Sequence, residues 1–247
     1  MSLNSEFEVR KEKLKNMQKK EKVAYAEKFD RDIELSEAKN LEDGKNVSVC
    51  GRIISYRDFG KFAFIKLYDI NGTLQISISK NELGEKYNEI KKMLDTGDFI
   101  GVKGNVYTTK TGEKTVRCDN VTLLSKSLRP LAEKFHGVSD PETIVNQRYL
   151  DIISNENSRN AFKQRILILK SLREYLQNNG FVELETPILQ NIACGANARP
   201  FITHHNSLNE DFYLRIAPEL YLKKAVAAGF DKVFEIGKNF RNEGMDS

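Results

Sequence analysis

A chain of 247 residues, 40% hydrophobic and 30% charged, has the make-up of a soluble globular protein with room for two domains, not of a disordered or fibrous one. Its net charge is only +4, with 14 basic against 11 acidic residues in the stretch 41–126, so nucleic-acid binding is permitted but not demanded. No apolar run approaches the ~20 residues that cross a bilayer, and the first residues lack the charged-then-apolar layout of a secretory signal. Cys50, Cys118 and Cys194 are odd in number and form no C-x-x-C pair. That spacing predicts free thiols, a cytoplasmic address, and no zinc knuckle or other metal site.

Residues 4–22 crowd Lys and Glu around Phe7, Leu14 and Met17, which predicts a short amphipathic helix with a solvated charged face, either a frayed terminal helix or one with a binding role. Ser36 is a candidate cap for a short second helix, and Asp43-Gly44 marks a turn. From Val47 to Ser125 the pattern becomes β-rich. Val47, Val49, Gly51 and Ile53 alternate with polar residues; Ala63, Ile65 and Leu67 interleave with Phe62, Phe64, Lys66 and Tyr68, and, after an Asn71-Gly72 hairpin signal, Leu74, Ile76 and Ile78 interleave with Thr73, Gln75 and Ser77. One helix is expected over Glu82–Leu94, and two strands over 99–108 and 115–124, joined by the loop 110–113. Strand–strand–strand–helix–strand–strand in about 80 residues fits the five-stranded OB-fold barrel, which binds oligonucleotides on its strand 2–3 face and on the 1–2 and 4–5 loops.

Parity then assigns faces. With Ala63, Ile65 and Leu67 inward, Phe62, Phe64, Lys66 and Tyr68 face out, and Gln75 faces out between Leu74 and Ile76. Exposed aromatics beside lysine suit base stacking, although the N-terminal segment could instead cover Phe62 or Tyr68. Residues 128–145, with Arg129-Pro130 and Asp140-Pro141, look like a linker. A helix over 160–178 follows, with Phe162, Ile166, Leu169, Leu172 and Leu176 at helical spacing and Gly180 as its stop. Strands are expected near 181–184 and 212–216, then a helix opening at Pro218 and closing before Gly229. A last strand, Val233–Glu243, would put Phe234, Ile236 and Phe240 on a core face, and Glu235, Gly237, Asn239, Arg241 and Glu243 on the other. The second face suits either solvent or a polar ligand.

The wording of the second half is narrower than its pattern. Gln147-Arg-Tyr-Leu-Asp151, Ala198-Arg-Pro-Phe-Ile-Thr-His-His-Asn206, Tyr213-Leu-Arg-Ile-Ala-Pro-Glu-Leu-Tyr-Leu-Lys223 and Val233-Phe-Glu-Ile with Phe240-Arg-Asn-Glu-Gly244 resemble the bacterial-type lysyl-tRNA synthetases, of subclass IIb among class II synthetases. The resemblance covers nearly the whole chain and is weakest before residue 45. It implies an α+β multidomain protein: an N-terminal helical extension (1–44), an OB-fold anticodon-binding domain (45–126), a linker (127–158) and the first part of an antiparallel-sheet catalytic domain (159–247). It also implies ATP-dependent activation of lysine, with magnesium, and transfer to tRNA(Lys).

Position by position, the resemblance makes Arg241 and Glu243 the motif 2 pair, with the arginine on the ATP α-phosphate and the glutamate on the adenine side. It makes Glu219 the receiver of the lysine α-ammonium and Gly195 a backbone contact to the amino acid. A first-turn glutamate also complements a helix dipole without any ligand, and Gly195 serves equally as a loop glycine. Phe64 and Gln75 match positions that stack on and hydrogen-bond the central anticodon uracil, and Arg57, after the first strand, and Glu113, between strands 4 and 5, match further anticodon contacts. Residues 181–189, around Pro187, match motif 1, which implies a homodimer. Tandem His204-His205 has no partner cluster and reads as structural. Cys194 departs from the glycine usual beside Gly195. Motif 3 and the later acidic residues that hold the lysine ε-ammonium and magnesium are not in this sequence. The 247 residues are therefore expected to bind an anticodon stem-loop but not to adenylate lysine alone. An RNA-binding remnant, or an aspartate- or asparagine-specific relative, is the competing reading; the 216–223 wording and the Phe64/Gln75 pair favour lysine.

Overall fold

Alternating apolar residues roll 46–125 into a closed barrel in a computed structural model that describes residues 3–19, 24–131, 138–194 and 197–244. The chain divides into two compact units, residues 1–159 and 160–247.

The first unit opens with α1 (Leu3–Lys19) and the short α2 (Leu35–Ala38). The first helix is docked, not frayed. Met17 is buried, and Arg10, 4% exposed, donates to the carbonyls of Thr96 (2.8 Å) and Ser127 (3.2 Å). Ser36 lies inside α2 and does not cap it; the turn is closed instead by the Glu34 N–H bonding the Glu37 carboxylate at 3.4 Å. The barrel strands are β1 (Asn46–Asp58), β2 (Phe62–Tyr68), β3 (Thr73–Ser79), β4 (Phe99–Thr108) and β5 (Lys114–Ser125), in the closed order β1-β2-β3-β5-β4. Only the β3–β5 pair is parallel. This is the OB-fold arrangement. Ile53, Ile65, Leu67, Ile76, Ile78 and Val102 fill its interior at 0% exposure. Gly104 permits the tight β4–β5 crossing, since a Cβ there would lie 1.9 Å from the Arg117 carbonyl oxygen.

Two short helices, α3 (Lys80–Leu83) and α4 (Lys86–Met93), replace the single helix expected over 82–94. Ser79 caps the first of them by accepting from the Asn81 and Glu82 N–H groups, and Gly84 ends it at φ +56°. Beneath the barrel, Lys126 is fully buried. Its ammonium donates to Asp98 (2.7 Å), to Asp95 and to the Met93 carbonyl (2.9 Å), and Lys13 of α1 reaches Asp95 at 2.6 Å. Burial pushes the Asp95 carboxyl up, but the hydrogen bonds from Lys126 and Lys13 outweigh it, so its pKa lies below the ordinary value. The expected linker is partly helical, with α5 (Pro141–Asn146) and α6 (Arg148–Ser154).

Helix α7 (Glu156–Asn178) leads into the second unit, and it buries no residue fully. Ile166, Leu167, Ile168 and Tyr175 are exposed along it. Strands β6 (Val182–Glu183), β7 (Leu189–Gln190), β8 (Ile202–His205) and β9 (Glu210–Leu214), helix α8 (Glu219–Ala227) and strand β10 (Val233–Phe234) complete the described elements. The order β7-β9-β8 is an antiparallel three-stranded sheet, while β10 pairs β6 in parallel. Pro218 is the residue before α8, one position earlier than expected.

Candidate functional site

Two clusters gather the residues that the sequence singles out. The first is the outer face of the barrel. On β2 the burial alternates as expected: Ala63, Ile65 and Leu67 are sealed, while Phe62, Phe64, Lys66 and Tyr68 lie outward. Phe64 packs edge-on against Phe62 (ring centroids 5.6 Å apart, planes at 82°), and Phe59 stacks on Phe62 at 5.0 Å and 11°. This aromatic patch keeps Phe59 55% and Phe62 39% exposed, so neither is covered. Tyr68 is half-buried, with the Arg159 guanidinium 4.7 Å from its ring centre.

Arg57 lies inside β1 and not in the loop beyond it, and a bulge decides where its side chain points. The register passes from Ile53 opposite Leu67 to Ser55 opposite Lys66, leaving Ile54 as the extra residue. Without that residue Arg57 would share the inward parity of Val49 and Ile53. With it, exposed Arg57 stands directly opposite Phe64, on the same outer face. Gln75 also takes outward parity, yet it is only 9% exposed, which corrects the expectation of an open side chain. Its amide Nε2 donates to the Thr115 hydroxyl at 3.0 Å across the β3–β5 ladder. Glu113 is exposed at the β4–β5 turn, where its N–H donates to Thr109 Oγ1 (3.0 Å) and its carbonyl accepts the Thr109 N–H (3.0 Å). Tyr107 and Arg117 extend this face. The Arg117 guanidinium lies 4.7 Å from the Tyr107 ring centre, and the Tyr107 hydroxyl donates to Ser77 at 3.2 Å.

The second cluster is the segment 215–244. The strand expected over Val233–Glu243 stops after Phe234, and 235–244 is irregular. Arg215, which the sequence offered only as part of a longer string, supplies the reason. Its side chain is 2% exposed and donates to the Lys238 carbonyl (2.9 Å), to Thr186 Oγ1 (2.9 Å) and to the Glu235 carboxylate. A carbonyl that would serve a ladder is thus taken by a side chain. Glu235, placed by parity with Arg241 and Glu243, is instead a buried structural partner at 4% exposure. Burial pushes its carboxyl up, but hydrogen bonds from Thr186 and Arg215 outweigh this and hold its pKa below the ordinary value. Gly237 lets the guanidinium pass, because a Cβ there would sit 2.0 Å from Arg215 Nη2.

Beyond this clamp, backbone bonds from the Phe240 N–H to the Arg215 carbonyl (2.9 Å) and from the Asn242 N–H to the Arg199 carbonyl (2.8 Å) tether alternate residues, as along a strand edge. Arg241 and Glu243, the residues between and beyond these tethers, are exposed, and neither side chain has a hydrogen-bond or ion-pair partner among the described residues. Glu219 opens α8 and is engaged by Lys223 at 2.5 Å, both side chains exposed. Gly195 lies outside the described residues. Cys194, beside it, donates to Gln190 Oε1 at 3.4 Å. His204 pairs with Asp211 across β8–β9 at 2.9 Å, and His205 packs on Phe212, so both have structural partners. All three cysteines are free thiols, and burial pushes the Cys118 thiol pKa up.

Comparison with known families matches residues 47–124 to the OB-fold nucleic acid binding domain and residues 140–247 to tRNA synthetases class II (D, K and N). Residues 140–247 are thus similar to the class II tRNA synthetases, and the barrel is similar to the OB-fold nucleic acid binding domains. Among curated relatives, the lysine–tRNA ligases of Edwardsiella ictaluri (strain 93-146), Escherichia coli (strain K12) and Shigella flexneri are each 47% identical over 256 aligned residues. The alignments cover 99% of this chain and 50% of each relative, so the chain spans about half the length of the ligases it matches.

Proposed function

We propose that the chain supplies the anticodon-reading barrel and the first ATP-contacting segment of a cytoplasmic lysine–tRNA ligase. Lysine and ATP are the small substrates and tRNA(Lys) the acceptor. The observation that carries this reading is the outward Phe64 with Arg57 directly across the β1–β2 ladder and Gln75 on the adjacent strand. That face offers a ring for stacking, a guanidinium for phosphate or base, and an amide for a base edge, which is what splayed single-stranded bases require. Glu113 stands at the β4–β5 turn beside the same face.

In the full-length protein, a lysine carboxylate oxygen attacks the ATP α-phosphorus, the bond to the β-phosphate breaks, and pyrophosphate leaves. The terminal ribose 3′-hydroxyl of the tRNA then attacks the acyl carbon and AMP departs. Arg241, exposed and uncommitted, is suited to hold the α-phosphate oxygens as charge builds on them. Glu243, exposed two residues further on, contacts the adenine side. Glu219 receives the lysine α-ammonium, which takes over from Lys223 as its counter-charge, and Gly195 supplies a backbone contact. Magnesium, when bound, neutralises the phosphates. Among the described residues no three His, Cys, Asp or Glu side chains are grouped to hold a metal. The apolar side chains exposed along α7 and around β6–β7 suit a homodimer seam, and no described helix is long and apolar enough to cross a membrane. The test is pyrophosphate exchange by the full-length protein with each of lysine, aspartate and asparagine. Exchange with lysine alone is expected, and exchange with aspartate or asparagine instead overturns the assignment.

A further inference from the structure

Gln75 and Thr115 face each other across the parallel β3–β5 ladder, and Thr115 is fully buried. Gln75 Nε2 lies 3.0 Å from Thr115 Oγ1, and that hydroxyl lies 3.1 Å from the Glu113 carbonyl oxygen. A hydroxyl has one proton, and a carbonyl can only accept. With its proton committed to Glu113, Thr115 offers Gln75 a lone pair alone. The Gln75 amide must therefore turn its NH2 to Thr115, leaving Oε1 unpaired among the described residues and in contact with solvent.

Reversing the amide would force Thr115 to swing its proton from Glu113 to Gln75, and two hydrogen bonds would become one. The Glu113 carbonyl would keep its bond from the Thr109 N–H, so the preference amounts to one net hydrogen bond, about five- to tenfold. The fixed amide presents an acceptor, Oε1, beside one uncommitted Nε2 proton. That pair complements a base edge carrying a ring N–H beside a carbonyl, as in uracil. Cytosine offers the opposite pair, an unprotonated ring nitrogen beside an amino group.

We propose that Thr115 is a positioning residue that sets the polarity of the Gln75 amide and thereby makes the barrel prefer uracil over cytosine at the base Gln75 contacts. This rests on the anticodon-binding reading above. Nothing in it requires Thr115 to touch the RNA.

The test titrates the 247-residue chain with two lysine-type anticodon stem-loops that differ only in U or C at the central position. Wild type, Thr115→Val and Thr115→Ser are compared by fluorescence anisotropy. Wild type should favour U. Thr115→Val, isosteric but without the hydroxyl, should reduce the U/C affinity ratio about five- to tenfold, and Thr115→Ser should restore it. A purely structural role would weaken both loops together and leave the ratio alone. An unchanged ratio in Thr115→Val overturns the role of Thr115 while leaving anticodon binding standing, whereas failure of wild type to bind either loop overturns both. Should the valine variant not fold, NMR of the wild-type chain decides. Slowly exchanging Gln75 side-chain NH2 protons with NOEs to the Thr115 methyl support the proposal, and freely exchanging ones overturn it.

Discussion

Replacing Arg215 with methionine should release the 235–243 segment. The substitution removes the bonds to Lys238, Thr186 and Glu235 and leaves the Glu235 carboxylate, 4% exposed, without its cation. Stranding one member of a buried pair costs about 3–5 kcal/mol, a large part of the ~5–15 kcal/mol that holds a typical domain. Hydrogen exchange is the assay. The amides of Phe240 and Asn242, which bond the Arg215 and Arg199 carbonyls, should lose protection about 100-fold or more, while Ile65 and Ile76 of the barrel keep theirs. The double variant Arg215→Met/Glu235→Leu should regain much of the loss, because an apolar pair can replace a buried ion pair at little cost. If the single variant leaves exchange at Phe240 and Asn242 within twofold of wild type, the clamp does not hold this segment and the reasoning fails.

Gly237→Ala drives a methyl into the Arg215 guanidinium and should mimic the Arg215 variant at the same amides; unchanged protection there would contradict the close approach. Glu235 and Asp95 both have depressed pKa values, so each contributes stability that is complete above the ordinary carboxylate range and is lost as pH falls through the folded-state value. Asp95→Asn should therefore lower stability near neutrality and flatten the acid limb of the barrel's unfolding free energy as pH falls through and below the ordinary carboxylate range, read by urea denaturation at stepped pH; an acid limb as steep as in wild type would refute the assignment.

The barrel was legible because its strands obey period two without interruption over 62–68 and 73–79, so the inward and outward sets of β2 followed from the sequence alone. A bulge leaves no such trace. Ile54 is apolar like Ile53 before it, and only the paired register reveals that it turns Arg57 outward. Gln75 was placed on the correct parity, but its cover comes from a strand 40 residues away, which no local pattern reports. Arg215 and Glu235 were hidden for the same reason, since a buried ion pair between positions 20 apart looks like two surface charges. Helix α5 was missed although its signal was present: Asp140 accepts the Thr143 N–H at 2.8 Å and Pro141 holds the first helical position, so a pair read as a linker turn is a helix start.

The most direct test of the central claim is anisotropy titration of a lysine-type anticodon stem-loop with the wild-type chain and with Phe64→Ala. Loss of one stacking ring is worth about 1–3 kcal/mol, so affinity should fall roughly 5- to 150-fold while the thermal unfolding midpoint stays close to wild type, the ring being on the outer face. Equal affinity of the two proteins for the loop would contradict the claim that this face of the barrel reads RNA.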